Sequence, residues 1–212
     1  GTDVPFGFHT AVDIATDVID SLHTPAASHS RILLCEIMGN KAGWLTLNAG
    51  IAGGADIILI PEIPYNIDKV CDALINRSAS GKTFSIIAVA EGAFDVNEAQ
   101  MKKKERAAKR AEAGILTATS RIAAQVQANT GFEARVCVPG HMLRGGAPSA
   151  YDRILATQFG VYAAKLIASQ LGDEFIDAGT LMKTGEAQIQ NLHEQMDHAK
   201  AELGKTFPQE AE

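Results

Sequence analysis

Apolar residues along the chain follow two alternating patterns. Ile32 to Ile37, Ile57 to Ile60, Phe84 to Ala90 and Ala134 to Val138 are short runs dominated by apolar residues. Runs of this length and character read as strands buried on both faces. Between them, apolar residues recur at three- and four-residue spacing, which predicts amphipathic helices. Phe8, Val12, Ala15, Ile19 and Leu22 mark the first helix, with Pro25 as its expected stop and Ala26 to Arg31 as a polar connection. Leu45, Ala49 and Ala52 mark the second, ended by Gly53-Gly54. Asn66 is placed to cap a third, which carries Ile67, Val70 and Leu74 and ends near Gly81. Ile115, Ile122 and Val126 mark a fourth, ended by Gly131. Ser149 is the expected N-cap of a long helix carrying Ile154, Leu155, Phe159, Tyr162, Leu166 and Leu171. Further on, Phe175 to Asp177 reads as a short strand and the polar tail from Glu186 as helical.

This alternation predicts an α/β fold: a Rossmann-like parallel sheet of about four strands flanked by helices, with a helical C-terminal extension. The expected division is residues 1–140 as a ligand-binding α/β domain and 141–212 as a loop, a long helix and a C-terminal segment. Ligands of such sheets bind beyond the carboxyl ends of the strands. Those ends carry Met38-Gly39-Asn40, Pro61-Glu62, Glu91-Gly92 and Gly140 to Arg144. Spacing alone therefore predicts one rim of polar loops.

The segment from Val138 to Ser149 concentrates glycine and proline, which indicates a tight loop. His141 and Arg144 lie three apart within it. The guanidinium fork suits a phosphate or carboxylate, and the imidazole can donate to the same group. Two readings stay open for the loop alone: a grip on an anionic ligand, or a strand-to-helix connection with a surface arginine.

Charge narrows the choice. The chain has 212 residues and a net charge of −6, which argues against a general nucleic-acid binder. A local cationic cluster in an acidic chain then suits one small anion. Residues 95–113 are locally basic, with Lys102, Lys103, Lys104, Arg106, Lys109 and Arg110. They read as a solvated helical excursion or as a mobile lid beside an anion. Cys35, Cys71 and Cys137 lack metal-type spacing and read as buried, reduced thiols. No signal peptide and no apolar run of membrane-spanning length is evident, so a cytoplasmic location and no membrane partner are expected.

Ordered blocks then resemble a known family. Ser28-His29-Ser30-Arg31, Glu36-Ile37-Met38-Gly39, Ala42-Gly43-Trp44-Leu45, Gly53-Gly54-Ala55-Asp56 and Ile60-Pro61-Glu62 follow the order found in 6-phosphofructokinases. Ala90-Glu91-Gly92, Gly140-His141-Met142-Leu143-Arg144-Gly145-Gly146 and Tyr151-Asp152-Arg153 continue it. The similarity runs from Thr2 to about Gly172. It implies phosphorylation of fructose 6-phosphate to fructose 1,6-bisphosphate in a homodimer or homotetramer, with Mg accompanying ATP or pyrophosphate as donor. By the same resemblance, Arg135, His141 and Arg144 would hold the sugar phosphate. Met38 and Gly39, followed by Asn40, would line the sugar pocket, and Glu91 would accept from sugar hydroxyls. Arg31 would reach the phosphate site of a neighbouring subunit.

The family's catalytic aspartate lies in a Thr-Ile-Asp-Asn-Asp stretch, which the resemblance places upstream of Gly1. The chain on its own is therefore expected to be the acceptor-binding part and inactive. Asn40 stands where the family often has arginine. Lys82 and Glu62 match effector-site positions of the allosteric bacterial enzymes, but His23 and Ser80 replace the arginines expected there. Two other readings are a noncatalytic sugar-phosphate-binding or regulatory module and a subunit that only supports oligomerisation.

Overall fold

The four apolar runs pair as one parallel sheet in a computed structural model that describes residues 5–101, 104, 105 and 117–171. Strands β1 (Ile32–Ile37), β2 (Ile57–Leu59), β3 (Ser85–Ala90) and β4 (Ala134–Cys137) lie in the order β2-β3-β1-β4. Ile32 is in register with Ser85 on one side and Ala134 on the other. The helices are α1 (Phe8–His29), α2 (Trp44–Ala52), α3 (Ile67–Ala79), α4 (Ala118–Thr130) and α5 (Ala150–Leu171). Two 3₁₀ turns, Val96–Glu98 and Gly140–Arg144, follow β3 and β4.

Successive side chains of a strand point to opposite faces, so the sheet carries two cores. Leu34, Ile87 and Val89 pack with Val70 and Leu74 of α3 and Ile122 and Val126 of α4. Cys35, Ile37, Ile86 and Ala88 pack with Ala15 and Ile19 of α1 and Ala49 of α2. Helices on both faces leave the strand ends as the sheet's open side.

The chain forms two compact units, Gly1–Ser149 and Ala150–Glu212. The turn Gly140–Arg144 belongs to the first, because Leu143 is buried in the α1-side core. The first unit thus extends past residue 140, where the apolar pattern of the strands ends.

Most elements match the sequence pattern. Asn66 caps α3, its Oδ1 accepting from the Asp68 and Lys69 amides at 2.9 and 3.2 Å. Gly131 closes α4 in the left-handed region, at φ 74°. Pro25 is the exception. It lies inside α1, which continues to His29. Proline removes one helical hydrogen bond, but the turn beyond it buries Ala26 completely. Ser30 then closes the helix at φ 51°, and its amide and that of Arg31 reach the Ala27 and Ala26 carbonyls. Burial of Ala26 and the closing bonds at Ser30 and Arg31 offset the donor that proline lacks. Asn97 and Glu98 form the first 3₁₀ turn, capped by Asp95. The rest of the basic stretch is largely outside the described residues, as are Ile115, the Phe175–Asp177 strand and the tail from Glu186.

Among the described residues no helix is long and apolar enough to cross a membrane. All three cysteines are free; Cys35 and Cys71 are buried and Cys137 is half-buried. Burial pushes the Cys35 thiol up to about 12 and also raises Cys71 and Cys137. Thiols held neutral in this way are poor nucleophiles. The folded protein should therefore react slowly with an aromatic disulfide reagent at pH 8, Cys137 first, and guanidinium should release all three thiols. Rapid labelling of Cys35 in the folded state would contradict this packing.

Candidate functional site

Three loops leave the carboxyl ends of β1, β2 and β3 and hold one another. The loop after β1, residues 38–43, contains amides that neither helix nor ladder satisfies. Glu91 Oε1 accepts from the Asn40 and Gly39 amides at 2.5 and 3.2 Å. Glu62 Oε1 accepts from the Gly43 amide at 2.8 Å. Carboxylates from the two neighbouring loops therefore supply the acceptors this segment needs. The approach is close enough to demand glycine: a Cβ at Gly92 would overlap the Asn40 carbonyl oxygen. The second and third loops are joined as well. The Tyr65 amide donates to the Phe94 carbonyl at 3.1 Å, and the Val96 amide donates to the Tyr65 carbonyl at 2.9 Å.

The 3₁₀ turn after β4 completes this rim. Gly140 enters it at φ 56°, and the buried Leu143 pins it to the core. Residues three apart eclipse in a 3₁₀ helix. His141 and Arg144 consequently share a side of the turn, and both are exposed. Arg144 Nε donates to Met38 Sδ at 3.3 Å, which ties this turn to the loop after β1. A thioether is a weak acceptor and is readily exchanged for an anion.

The fold thus brings together Met38, Gly39, Asn40, Glu91 and Arg144, with His141 on the same turn as Arg144. It does not bring Arg31 and Arg135 to them. Arg31 precedes β1, and Arg135 is in register with Leu33 near the start of β4. Both bind Glu133: Arg31 Nε at 2.7 Å from Oε2 and Arg135 Nη2 at 2.6 Å from Oε1. The hydrogen bond from Arg31, followed by that from Arg135, holds the Glu133 carboxyl below the usual carboxylate range. At about 3.3 Å per residue, the path from Arg31 to Met38 along β1 is roughly 20 Å. That is beyond the reach of an arginine side chain. Grouping Arg135 with His141 and Arg144 therefore fails within one chain, because β4 delivers them at different heights in the sheet.

Glu91 also carries a backbone-holding role that the sequence did not predict. One of its oxygens is committed to backbone amides, so only the other is available to a sugar hydroxyl. At the expected effector positions, His23 Nε2 donates to the Gly53 carbonyl at 2.8 Å, and its ring meets Phe84 edge-on. Glu62 is engaged by Gly43. Two features escaped the sequence reading. One is the Glu62–Gly43 clasp. The other is Arg121, which reaches Asp95 at 3.1 Å, Glu98 at 2.8 Å and the Tyr65 hydroxyl at 2.7 Å. Burial pushes the Tyr65 phenol up to about 12 against the opposing pull of Arg121, so it stays neutral and accepts this bond. Among the described residues no three His, Cys, Asp or Glu side chains gather as a metal site.

A sequence profile described as Phosphofructokinase matches residues 1–167. The chain belongs to the phosphofructokinase family. An ATP-dependent 6-phosphofructokinase of Spirochaeta thermophila is 54% identical over 167 residues, covering 79% of this chain and 46% of that protein. One from Propionibacterium freudenreichii is 46% identical over 185 residues, covering 79% and 50%. The chain thus spans about half the length of these curated phosphofructokinases. The phosphofructokinase structure from Saccharomyces cerevisiae superposes with a TM-score of 0.63 at 34% identity, covering 82% of this chain and 21% of that one.

The Gly92–Asn40 approach is open to a direct test. Gly92→Ala should destabilise the fold by about 1–3 kcal/mol, the usual cost of forcing an extra group into a packed site. Urea unfolding measures this, and an unchanged midpoint would show that the two loops are not in contact.

Proposed function

We propose that this chain is the fructose-6-phosphate-binding part of a 6-phosphofructokinase. The observation that carries this reading is the contact of Arg144 with the loop whose amides Glu91 holds. A sugar phosphate needs cationic donors at one end and hydroxyl acceptors at the other. Arg144 supplies the cation, His141 on the same turn can donate beside it, and the other oxygen of Glu91 supplies the acceptor. Half-buried Met38 and the Gly39–Asn40 backbone form the wall between them.

Arg31 and Arg135 serve a second copy of the chain. Glu133 holds both guanidinium groups and leaves the cluster with one net positive charge. Their distance from the chain's own rim supports a phosphate site completed by a neighbouring subunit, in a homodimer or homotetramer.

Phosphoryl transfer requires a donor site and a base for the 1-hydroxyl. In this reading both come from the half of the relatives that the chain does not span, and the chain alone binds without turnover. ATP is the favoured donor, because the relatives compared above are ATP-dependent by name. Mg would supply charge neutralisation on the donor phosphates. The described residues of this chain do not form a set that fits it, and their own task is to bind and orient the acceptor.

Two measurements on the full-length protein test this. Arg144→Ala should weaken fructose 6-phosphate binding by about 2–4 kcal/mol, because it removes one partner of a desolvated charge pair. Calorimetry or KM reports it, and a change of only a few tenths of a kcal/mol would discard the clamp. Binding without turnover with either ATP or pyrophosphate would favour a noncatalytic module. The shared site is tested by mixing. Arg31→Ala and Arg144→Ala proteins should each be impaired, while co-expressed hybrids regain roughly a quarter of the sites if dimers form at random. No recovery in verified hybrids would remove Arg31 from the neighbour's site.

A further inference from the structure

Residues 99–116 separate Glu98 from Thr117, yet the two ends of this stretch are clamped together. Arg121, one turn into α4, meets Asp95 and Glu98 across the neck. The side chains of Arg121, Asp95 and Glu98 are only 12%, 10% and 6% exposed. Two carboxylates thus converge on one guanidinium. Among the described residues Arg121 Nε has no hydrogen-bond acceptor, and its terminal nitrogens make the contacts that place the head. That is the signature of an arginine positioned by its acids and by Tyr65.

These partners lead directly to the rim. Asp95 Oδ1 caps the 3₁₀ turn, accepting from the Asn97 and Glu98 amides at 2.8 and 3.0 Å. Tyr65 is 5% exposed and brackets the same loop through Phe94 and Val96. At the loop's other end, the Glu91 amide donates to the Ile37 carbonyl at 3.0 Å. Glu91 and Gly92 then press on Gly39 and Asn40. A continuous series of packed and hydrogen-bonded groups thus runs from Arg121 to the sugar wall, without Arg121 touching it.

We propose that Arg121 is a positioning residue for acceptor binding: by clamping Asp95, Glu98 and Tyr65 it fixes the β3 loop, and with it the Glu91 carboxylate that orders the Gly39–Asn40 wall. This rests on the sugar-phosphate reading of the rim. It assigns Arg121 an effect on the acceptor alone, since neither the donor nor the base belongs to this loop.

The test compares full-length wild type with Arg121→Gln and Arg121→Lys. Gln removes the charge, while Lys retains it without the fork and keeps the question answerable if the Gln protein fails to fold. Arg121→Gln should raise KM for fructose 6-phosphate about tenfold, a modest displacement of binding groups, with kcat and the donor KM within about twofold. Arg121→Lys should fall between Gln and wild type. A lowered thermal midpoint with an unchanged acceptor KM in both variants would make Arg121 purely structural and overturn the inference. Equal losses in acceptor KM, donor KM and kcat would overturn it as well. A wild-type protein that neither binds nor phosphorylates fructose 6-phosphate would instead overturn the reading of the rim, and the two failures are distinct.

Discussion

The loop after β1 is held in place by carboxylates, and the rim depends on that. Strand β1 ends at Ile37, and α2 begins at Trp44. The backbone between them belongs to no ladder, yet it lies where a ligand of a parallel sheet must sit. Its amides need acceptors, and a charged acceptor is stronger than a carbonyl. Glu91 and Glu62 fill that need from two different loops. The loop after β1 is therefore only as well placed as the loops that carry these two side chains. Gly92, Tyr65 and the Arg121 clamp all act on that placement.

Strand polarity explains the rest of the site. All four strands enter from one end and leave at the other. Residues just before a strand are therefore separated from those just after it by the full height of the sheet. Arg31 and Glu133 precede β1 and β4, while Met38 and Gly140 lie at or just past their far ends. No rearrangement of side chains closes that gap. One chain therefore does not place Arg31 beside Arg144. The shared site proposed above is consistent with that separation, and Glu133 holds the two arginines of the lower cluster together.

The sheet was legible because its central strands β1 and β3 are buried on both faces and the apolar runs coincide with the ladders, although the edge strand β4 exposes Arg135 and Val136. Asn66 and Gly131 were legible as helix ends for similarly local reasons. Pro25 was not. Its local rule was overruled by burial of Ala26, which depends on the sheet beneath it. Arg135 was assigned to the rim from family order, which is silent on height within a strand. Its register with Leu33 is a property of the pairing. Arg121 was hidden for another reason. Its partners Asp95 and Glu98 lie on the far side of a basic stretch, and charges separated in that way carry no periodic signal. Only the closing of the neck makes them neighbours.

Asn40 shows how backbone and side-chain roles compete at one position. Measured as a side chain, it is a loss, because the family often places a cation there. Measured as backbone, it is suitable. Asn40 sits at φ 55°, one of two non-glycine residues described in the left-handed region. Asparagine enters that region more readily than most residues, because its short polar side chain bonds locally. Its amide makes the shorter of the two bonds to Glu91. A long cationic side chain at this position would add a charge while straining a turn held at positive φ. The residue present favours the wall. In the proposed reading the cationic share of phosphate binding falls more heavily on Arg144, and the turn that carries it is anchored by the fully buried Leu143.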